Sequence, residues 1–314
     1  MGIRFIPDNT RYDFAGNRYF AFAVDGLLAL ITVVALFVYG LNLGIDFTGG
    51  VVVEISRPEG QQKPISIGEV REKMEGLGFG EVGVQSFDND KAVLIRVQPQ
   101  EGVTNQEQQV VAKIRTALGD AYKFDRVEAV GPKVSGELFT SGVIATLLAV
   151  LMIAVYVAFR FEWQYGVAAV VATGHDVLMG VGLFAVLGLD FNMTSVAALL
   201  LLAGYSVNDT VVVFDRIREN RRRYKSMPLP ELINTSVNVT LGRTILTSST
   251  TALAVVPLLF SGETLFGFAA CILWGILIGT YSSIFVAAAL LLYLPSITAS
   301  APSGGSGEGL PAQT

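Results

Sequence analysis

The stretch LLAGYSVNDTVVVFDRIREN, residues 201–220, decides the fold class of this chain. It begins as a lipid-soluble helix and ends as a strongly charged one, yet Asn208 and Asp209 come before the apolar run stops. A charged side chain at the centre of a membrane span costs about 2.5–3.5 kcal/mol on insertion scales, and it usually faces the interior of a helix bundle. The stretch therefore predicts a membrane-spanning helix whose carboxylate has a function.

The composition of the whole chain indicates a membrane protein. Of its 314 residues, 52% are hydrophobic and only 16% are charged, and the mean hydropathy is +0.54. Ordinary soluble domains carry about 25% charged residues. The net charge of -5 gives no reason to expect a nucleic-acid partner, because the basic residues cluster beside apolar segments. The single cysteine, Cys271, excludes a disulfide framework or a multi-cysteine metal site within one chain.

Six apolar stretches are long enough to cross a bilayer, which takes about 20 residues. We predict transmembrane helices over residues 19–40, 138–159, 166–187, 193–214, 243–260 and 266–294. The first is too long for the apolar core of a cleavable signal sequence and is expected to remain as an anchor. The tail, residues 295–314, has too little apolar content to pack and is predicted to be disordered.

The distribution of Lys and Arg predicts the orientation. Basic residues precede the first span, follow the second at Arg160, and form the run RIRENRRRYK at 216–225 after the fourth. The loops LGLDFN and SGETLFG, on the opposite side, contain neither Lys nor Arg. By the positive-inside rule, residues 1–18, the basic loop 215–242 and the tail are expected to be cytoplasmic.

The remaining insert, residues 41–137, is then extracytoplasmic. Alternating apolar residues predict strands in GVVVEIS, EVGVQSF, AVLIRVQ and KFDRVEAVG, and helical spacing predicts helices in SIGEVREKMEGLG and TNQEQQVVAKIRTALG. The order βαββαβ is that of a ferredoxin-like split motif. The insert contains no His, no Cys and no clustered carboxylates, so the sequence predicts no enzymatic or metal site there.

Two charged residues in neighbouring spans are the main functional candidates. Asp209 lies about five residues inside the hydropathic end of the fourth span, and Arg243 opens the fifth, which runs in the opposite direction. Arg stays protonated, so Arg243 at a similar depth is able to hold Asp209 ionised until a proton arrives. The alternatives are a carboxylate that reaches the cytoplasmic surface and an arginine that only anchors the helix.

Further polar residues form weaker candidates. Thr247, Thr250 and Thr251 share a helix face with Arg243 and form a stripe that is able to line a water path; the alternative is hydroxyls bonded to their own backbone. His175 and Asp176, near the middle of the third span, are candidate relay residues together with Asn208. The alternative for His175 is a structural hydrogen bond, and Asp25 is read as interfacial or packed against a partner.

Five ordered motifs carry a family resemblance. They are GIDFTGG at 44–50, RFEW at 160–163, HDV at 175–177, GYSVNDTVVVFDRIREN at 204–220 and RTILTSSTT at 243–251. Together they resemble SecF, the family of smaller membrane subunits of the bacterial SecDF complex. The resemblance implies a resistance-nodulation-division type half of six transmembrane helices with an inserted ferredoxin-like α+β extracytoplasmic domain.

The resemblance also implies a function and partners. SecF-type subunits form a heterodimer with SecD beside the SecYEG translocon, with YajC as a further partner, and use the proton gradient to promote late-stage preprotein export across the cytoplasmic membrane. Asp209 and Arg243 match residues tied to proton passage, and Thr247 is a weaker match. No cofactor is implied, and protons are the coupling ion. The alternatives are half of a proton-coupled exporter of lipids or small molecules, and a passive scaffold for SecD.

Overall fold

The computed structural model describes residues 10–58, 64–79, 82–87, 91–98 and 106–295. Six of its helices are long and apolar enough to cross a membrane, which confirms the predicted class of polytopic α-helical membrane protein. Between the first and second of them the chain forms a separate α+β unit. The first nine residues and the part of the predicted disordered tail beyond residue 295 lie outside the described residues.

Four of the six membrane helices, α5 to α8, are longer than the apolar stretches that predict them, whereas α1 and α9 are shorter. They are α1 (Arg18–Val38), α5 (Pro132–Arg160), α6 (Trp163–Leu187), α7 (Met193–Arg223), α8 (Leu229–Val255) and α9 (Glu263–Ser282). A 3-10 turn, Val256–Phe260, continues α8, and a π-helical segment, Ser283–Ala287, joins α9 to the short α10 (Ala288–Leu290). Local signals set the ends of α6 and α7: Gly188 ends α6 in the left-handed conformation, and Asn192 caps α7 reciprocally with Ser195.

The predicted loop over residues 215–242 is mostly helix. α7 runs on to Arg223 and α8 starts at Leu229, which leaves residues 224–228 as the connection. Hydropathy missed these two arms because they lack an apolar run of bilayer length. Both polar contacts and buried apolar residues such as Ile217 and Ile233 hold them together. Within the arms, the Asn220 amide donates to the Ser236 hydroxyl at 2.8 Å, and Arg216 pairs with Glu219 one turn away.

The α+β unit has the element order that the sequence pattern predicts. Its elements are β2 (Gly50–Ser56), α3 (Ile67–Glu75), β3 (Val82–Phe87), β4 (Ala92–Val97), α4 (Gln106–Leu118) and β5 (Lys123–Val130). The four strands form an antiparallel sheet in the order β3, β4, β2, β5. One sheet face packs on both helices: Val53 and Ile95 share a buried cluster with Met74 of α3 and Ile114 of α4.

A short junction joins this unit to the helix bundle. It consists of β1 (Asn42–Leu43) and α2 (Ile45–Thr48), and β1 pairs in parallel with β6 (Asp190–Phe191) in the α6–α7 connection. The Asp46 carboxylate accepts a hydrogen bond from the Met193 amide at 2.9 Å. Gly49 and Gly50 turn the chain into β2 with φ of 74° and 113°, which side chains other than glycine rarely adopt. The junction thus connects the start of the sheet to the start of α7.

Candidate functional site

Asp209 lies near the middle of α7, inside the bundle. Its side chain is only 2% exposed, and its Oδ2 atom has no hydrogen-bond partner in the described part of the chain. Because α7 continues to Arg223, the carboxylate is well inside the helix rather than near its end. The sequence leaves open that the Asp209 carboxylate reaches the cytoplasmic surface. Its buried position does not fit that alternative.

The contacts between α7 and α8 show what faces Asp209. The Tyr205 hydroxyl donates to Ser248 Oγ at 3.1 Å, and further along the pair Asn220 contacts Ser236. This antiparallel register puts Asp209 opposite Thr244, which is 1% exposed. The buried hydroxyls of Thr244 and of Thr210 have no hydrogen-bond partner among the described residues. Buried polar atoms are normally satisfied, so these three side chains form an unusual polar group at the contact between α7 and α8.

Arg243 does not form the ion pair that the sequence predicts for it. Although close enough to act electrostatically on Asp209, its guanidinium makes no salt bridge to that carboxylate among the described contacts. Arg243 is instead exposed on the outer surface of α8. The antiparallel arrangement brings the two residues to a similar depth, but α8 turns the arginine outward.

The threonine stripe on α8 bonds to its own helix. The Thr247 hydroxyl donates to the carbonyl oxygens of Arg243 and Thr244, at 3.1 and 2.9 Å. Thr250 and Thr251 bond in the same way to carbonyls of the preceding turn. These contacts match the alternative reading of the stripe, in which the hydroxyls satisfy their own backbone. Asn208 is exposed on the outside of α7 and is not brought to the other relay candidates.

His175 and Asp176 belong to a second buried polar cluster. His175 Nδ1 lies 2.9 Å from Asp176 Oδ1, and His175 Nε2 lies 2.9 Å from Asp25 Oδ1 of α1. One imidazole ring therefore stands between two carboxylates from different helices.

Asp176 extends this cluster to two more helices. It is fully buried, and its Oδ2 accepts a hydrogen bond from Ser282 Oγ of α9 at 2.7 Å and another from Ser206 Oγ of α7. Ser206 is one helical turn before Asp209, on the same side of α7. We refer to Asp25, His175, Asp176, Ser206 and Ser282 as the histidine cluster. It lies one turn of α7 from Asp209.

The sequence alone did not identify three members of the histidine cluster. For Asp25 the sequence leaves open an interfacial position or packing against a partner, and the structure buries it against His175. Ser206 and Ser282 carry no charge and gave no signal beyond their place in apolar segments. The charged members contact one another, and no group of His, Cys, Asp and Glu in the described ranges converges to hold a metal ion.

Comparison with known families gives two matches along the chain. Residues 110–296 match the family model described as protein export membrane protein SecD/SecF, C-terminal. Residues 34–56 match the SecD/SecF GG motif, and they contain the glycine turn that leads into β2.

Curated relatives agree with these matches. The protein translocase subunit SecF of Rhodobacter capsulatus is 44% identical over 308 residues, which cover 93% of this chain and 91% of the relative. The SecF of Desulfurispirillum indicum is 43% identical over 88% of this chain and 89% of its own length. The protein translocase subunit SecDF of Brucella abortus is 42% identical over 92% of this chain, which spans only 38% of that relative.

Solved structures show the same fold. The crystal structure of SecDF from Thermus thermophilus, described as a translocon-associated membrane protein, superposes with a TM-score of 0.80 at 36% identity. The match covers 92% of this chain and 39% of that one. A crystal structure of SecDF in a super-membrane-facing form gives a TM-score of 0.64 at the same identity.

Proposed function

This chain belongs to the SecD/SecF family of protein export membrane proteins, and from that premise we propose that it is a SecF-type subunit that couples proton movement to late-stage preprotein export. The family places the protein in the Sec pathway as a multi-pass membrane subunit in an accessory role. The coupling to protons and the residues that carry it are our proposal.

The outer surface of the bundle supports a SecD-type partner. Asn208 and Arg243 are exposed there, although both lie within spanning helices and at a similar depth to Asp209. A guanidinium in contact with lipid tails is costly, so a second membrane protein is expected to cover this surface. The Brucella abortus relative, named SecDF, is much longer than the part that this chain matches, as expected if the partner half is fused to it.

The single observation that carries proton coupling is the unpartnered carboxylate of Asp209. Gain or loss of a proton there changes a buried charge that no neighbouring side chain in the described residues neutralises by direct contact. Such a change in charge alters how α7 packs on α8. Arg243 is exposed but lies within electrostatic range of Asp209, and its fixed positive charge favours the ionised carboxylate.

The histidine cluster offers a route from Asp209 to the α+β unit. Ser206 links α7 to Asp176, and His175 links Asp176 to Asp25 of α1. The chain passes from α1 directly into the junction of β1 and α2, and from there into the sheet. In this proposal His175 and Asp176 act as relay residues, and a shift of α1 transmits the change to the α+β unit.

The energy of the proton gradient limits how far one proton is able to shift a conformational equilibrium. One proton that crosses a potential of 100 mV releases about 2.3 kcal/mol. Moving a two-state element from 1:99 to 99:1 needs about 5.5 kcal/mol. We therefore expect more than one proton per cycle, or a pH gradient that adds to the potential.

The proposal includes an orientation and further partners. Both termini and the α7–α8 connection lie in the cytoplasm, and the α+β unit lies outside, as the distribution of basic residues indicates. The complex works beside SecYEG, with YajC as a further component and the preprotein as cargo. No cofactor other than the coupling proton takes part.

An export assay with a single carboxylate variant tests the proposal. Membrane vesicles depleted of their own SecF are supplied with this chain and its SecD, and gradient-stimulated preprotein export is measured for wild type and Asp209→Asn at matched membrane levels. Glu231→Gln, which neutralises an exposed carboxylate at the start of α8, is the control. We expect Asp209→Asn to abolish the stimulation while the complex still assembles, and the control to retain it.

The alternatives predict different results in the same assay. Full stimulation with Asp209→Asn would contradict proton coupling at this residue and favour a passive scaffold for SecD. Failure of the chain to co-purify with SecD would favour half of an exporter of lipids or small molecules.

A further inference from the structure

A group of arginines surrounds a cavity at the end of the bundle where α5 stops. The C-terminal residue of α5, Arg160, and the polar arm of α7 line a cavity of about 580 Å³. Its lining residues are Arg160, Asp215, Arg218, Glu219, Arg222 and Arg223. We call it the arginine cavity.

The arginine cavity has an excess of positive charge. Its lining holds four guanidinium groups and two carboxylates. The carboxylates do not neutralise all four: Asp215 is 3.7 Å from Arg160, and Glu219 pairs with Arg216, which does not line the cavity. Arg222 is exposed and makes no direct salt bridge among the described contacts, and Glu162, a carboxylate that acts on it electrostatically, is paired with Arg221. Positive charge is therefore available to an anionic ligand.

Two of the guanidiniums are held in place. The Arg218 Nη1 atom donates to the backbone carbonyl of Arg160 at 3.4 Å. The guanidinium carbons of Arg160 and Arg218 lie 5.0 and 5.7 Å from the centre of the Phe161 ring. Cation–π contacts of this kind orient guanidinium groups. The arginines thus start partly ordered, which lowers the entropy cost of binding.

The surroundings place the arginine cavity at the level of lipid headgroups. Phe159 is 93% exposed and Trp163 is 54% exposed on the two sides of Arg160. Exposed aromatic residues at the ends of spanning helices are typical of the membrane–water interface. The neighbouring outer surface of α5 exposes Leu151, Met152 and Val155, which provide an apolar track toward the membrane core.

We propose that the arginine cavity binds the phosphate-bearing headgroup of an anionic phospholipid, whose acyl chains lie along the exposed face of α5. Guanidinium groups bind phosphate oxygens through paired hydrogen bonds, and basic pockets between spanning helices suit such headgroups. The inference rests on the membrane-spanning character of the chain. It requires neither the proposed orientation nor proton coupling at Asp209.

Lipid binding to the purified complex tests this inference. The full chain with its SecD partner is titrated in detergent with phosphatidylglycerol, with phosphatidylcholine of the same acyl chains, and with inorganic phosphate, and bound lipid is measured by native mass spectrometry. The double variant Arg160→Gln/Arg222→Gln removes two cavity guanidiniums. Arg11→Gln removes an exposed guanidinium outside the cavity and serves as the matched control.

We expect wild type and Arg11→Gln to prefer phosphatidylglycerol over phosphatidylcholine, and the double variant to bind phosphatidylglycerol roughly thirtyfold more weakly. An unchanged melting temperature of the double variant shows that it is folded. If it does not fold, Arg222→Gln alone is measured, with a loss of roughly fivefold expected. The proposal would be overturned if wild type retained both lipids equally, or if the folded double variant bound phosphatidylglycerol with unchanged affinity. It would also be overturned if inorganic phosphate displaced all of the bound phosphatidylglycerol. Release of lipid by an acidic soluble protein domain would equally overturn it, since the occupant would then be a protein.

Discussion

At the scale of single residues, His175 has the most unusual environment among the described side chains. Each of its ring nitrogens lies 2.9 Å from a carboxylate, one from α1 and one from its own helix. The sequence predicts the costly residues Asp209, His175 and Asp176 within apolar spans. It could not predict that Asp25 meets His175, because hydropathy reports the depth of a residue and not which helices touch. Ser206 and Ser282 were missed because neutral hydroxyls are common in spanning helices.

Removal of the imidazole is expected to destabilise the bundle. His175→Ala leaves the buried carboxylates of Asp25 and Asp176 without their shared partner, and breaking a buried pair in this way costs about 3–5 kcal/mol. Unfolding of the purified protein in detergent measures the loss. Asn208→Ala, which removes an exposed polar side chain from a spanning helix, is expected to change stability by less than about 0.5 kcal/mol. Equal stability of the two variants would contradict the buried contacts of His175.

A pH effect is expected at the start of α6, outside the membrane span. The hydrogen bond from Arg221 lowers the pKa of Glu162 in the folded protein. A lowered folded pKa means that the pair stabilises the fold above the unfolded pKa of about 4.3, and that this contribution is lost as the pH falls through the folded value.

Because Glu162 is partly exposed, the effect is expected to be below about 1 kcal/mol. Glu162→Gln should lower the melting temperature slightly at pH 7 and have a smaller effect near pH 3. Melting curves of wild type and variant at the two pH values provide the measurement. A larger effect of the substitution at pH 3 than at pH 7 would contradict the expectation that the pair stabilises the fold more at the higher pH.

At the scale of helices, close packing depends on glycine at particular positions of α6. A Cβ atom at Gly182 would lie 2.4 Å from the Thr32 side chain of α1, whereas a Cβ at Gly174 would meet nothing within 4 Å. Gly275 of α9 is similarly close to Leu202 of α7. Gly182 and Gly275 therefore let the helices approach closely. Hydropathy does not distinguish Gly182 from Gly174, since both lie in the same apolar span.

Two alanine variants on α6 separate packing from helix propensity. Gly182→Ala is expected to destabilise the protein by about 1–3 kcal/mol, because the added methyl group overpacks the α1–α6 contact. Gly174→Ala is expected to be neutral or to stabilise by up to about 1 kcal/mol, because alanine favours helix over glycine. Unfolding in detergent compares the two. Similar effects for both would show that Gly182 is not at a close contact.

The ends of the helices show the limits of a hydropathy profile. The six spans are predicted because an apolar run of bilayer length is a strong signal. The arms of α7 and α8 were predicted as a loop, because their apolar residues are too scattered to form a run of bilayer length. Ile233, Val237 and Leu241 nevertheless recur at helical spacing and are buried. The α7 arm also lines the arginine cavity, so a region that hydropathy predicts as loop contains the proposed binding site.

At the scale of the whole molecule, the α+β unit is tied to the bundle at a second point besides the chain itself. Arg96 of β4 forms a salt bridge with Asp190 of β6 and also donates to Asn42 of β1 at 3.3 Å. This contact borders a cleft of about 860 Å³ between the sheet and the bundle. The strands themselves could be predicted from alternation. The link between β4 and the α6–α7 connection could not, because it joins residues far apart in the sequence and follows no periodic pattern.

Breaking the Arg96–Asp190 salt bridge is expected to loosen the junction. The Gly44 amide donates a hydrogen bond to the Phe191 carbonyl at this junction. Arg96→Asp should raise the hydrogen-exchange rate of that amide roughly fivefold, because loss of the salt bridge lowers the free energy of local opening by about 1 kcal/mol. The double variant Arg96→Asp/Asp190→Arg restores opposite charges and should recover most of the protection. Hydrogen exchange read by mass spectrometry provides the measurement. Unchanged exchange in the single variant would show that β1 and β6 hold the junction without the salt bridge.

The account as a whole depends on whether protons use Asp209, and proton uptake is the most direct measurement of that. Liposomes that contain this chain with its SecD partner are loaded with a pH indicator, a membrane potential is imposed, and acidification is followed for wild type, Asp209→Asn and Glu231→Gln. Proton coupling at Asp209 predicts uptake by wild type and by Glu231→Gln, and none above empty liposomes for Asp209→Asn. Uptake by Asp209→Asn at the wild-type rate would contradict it.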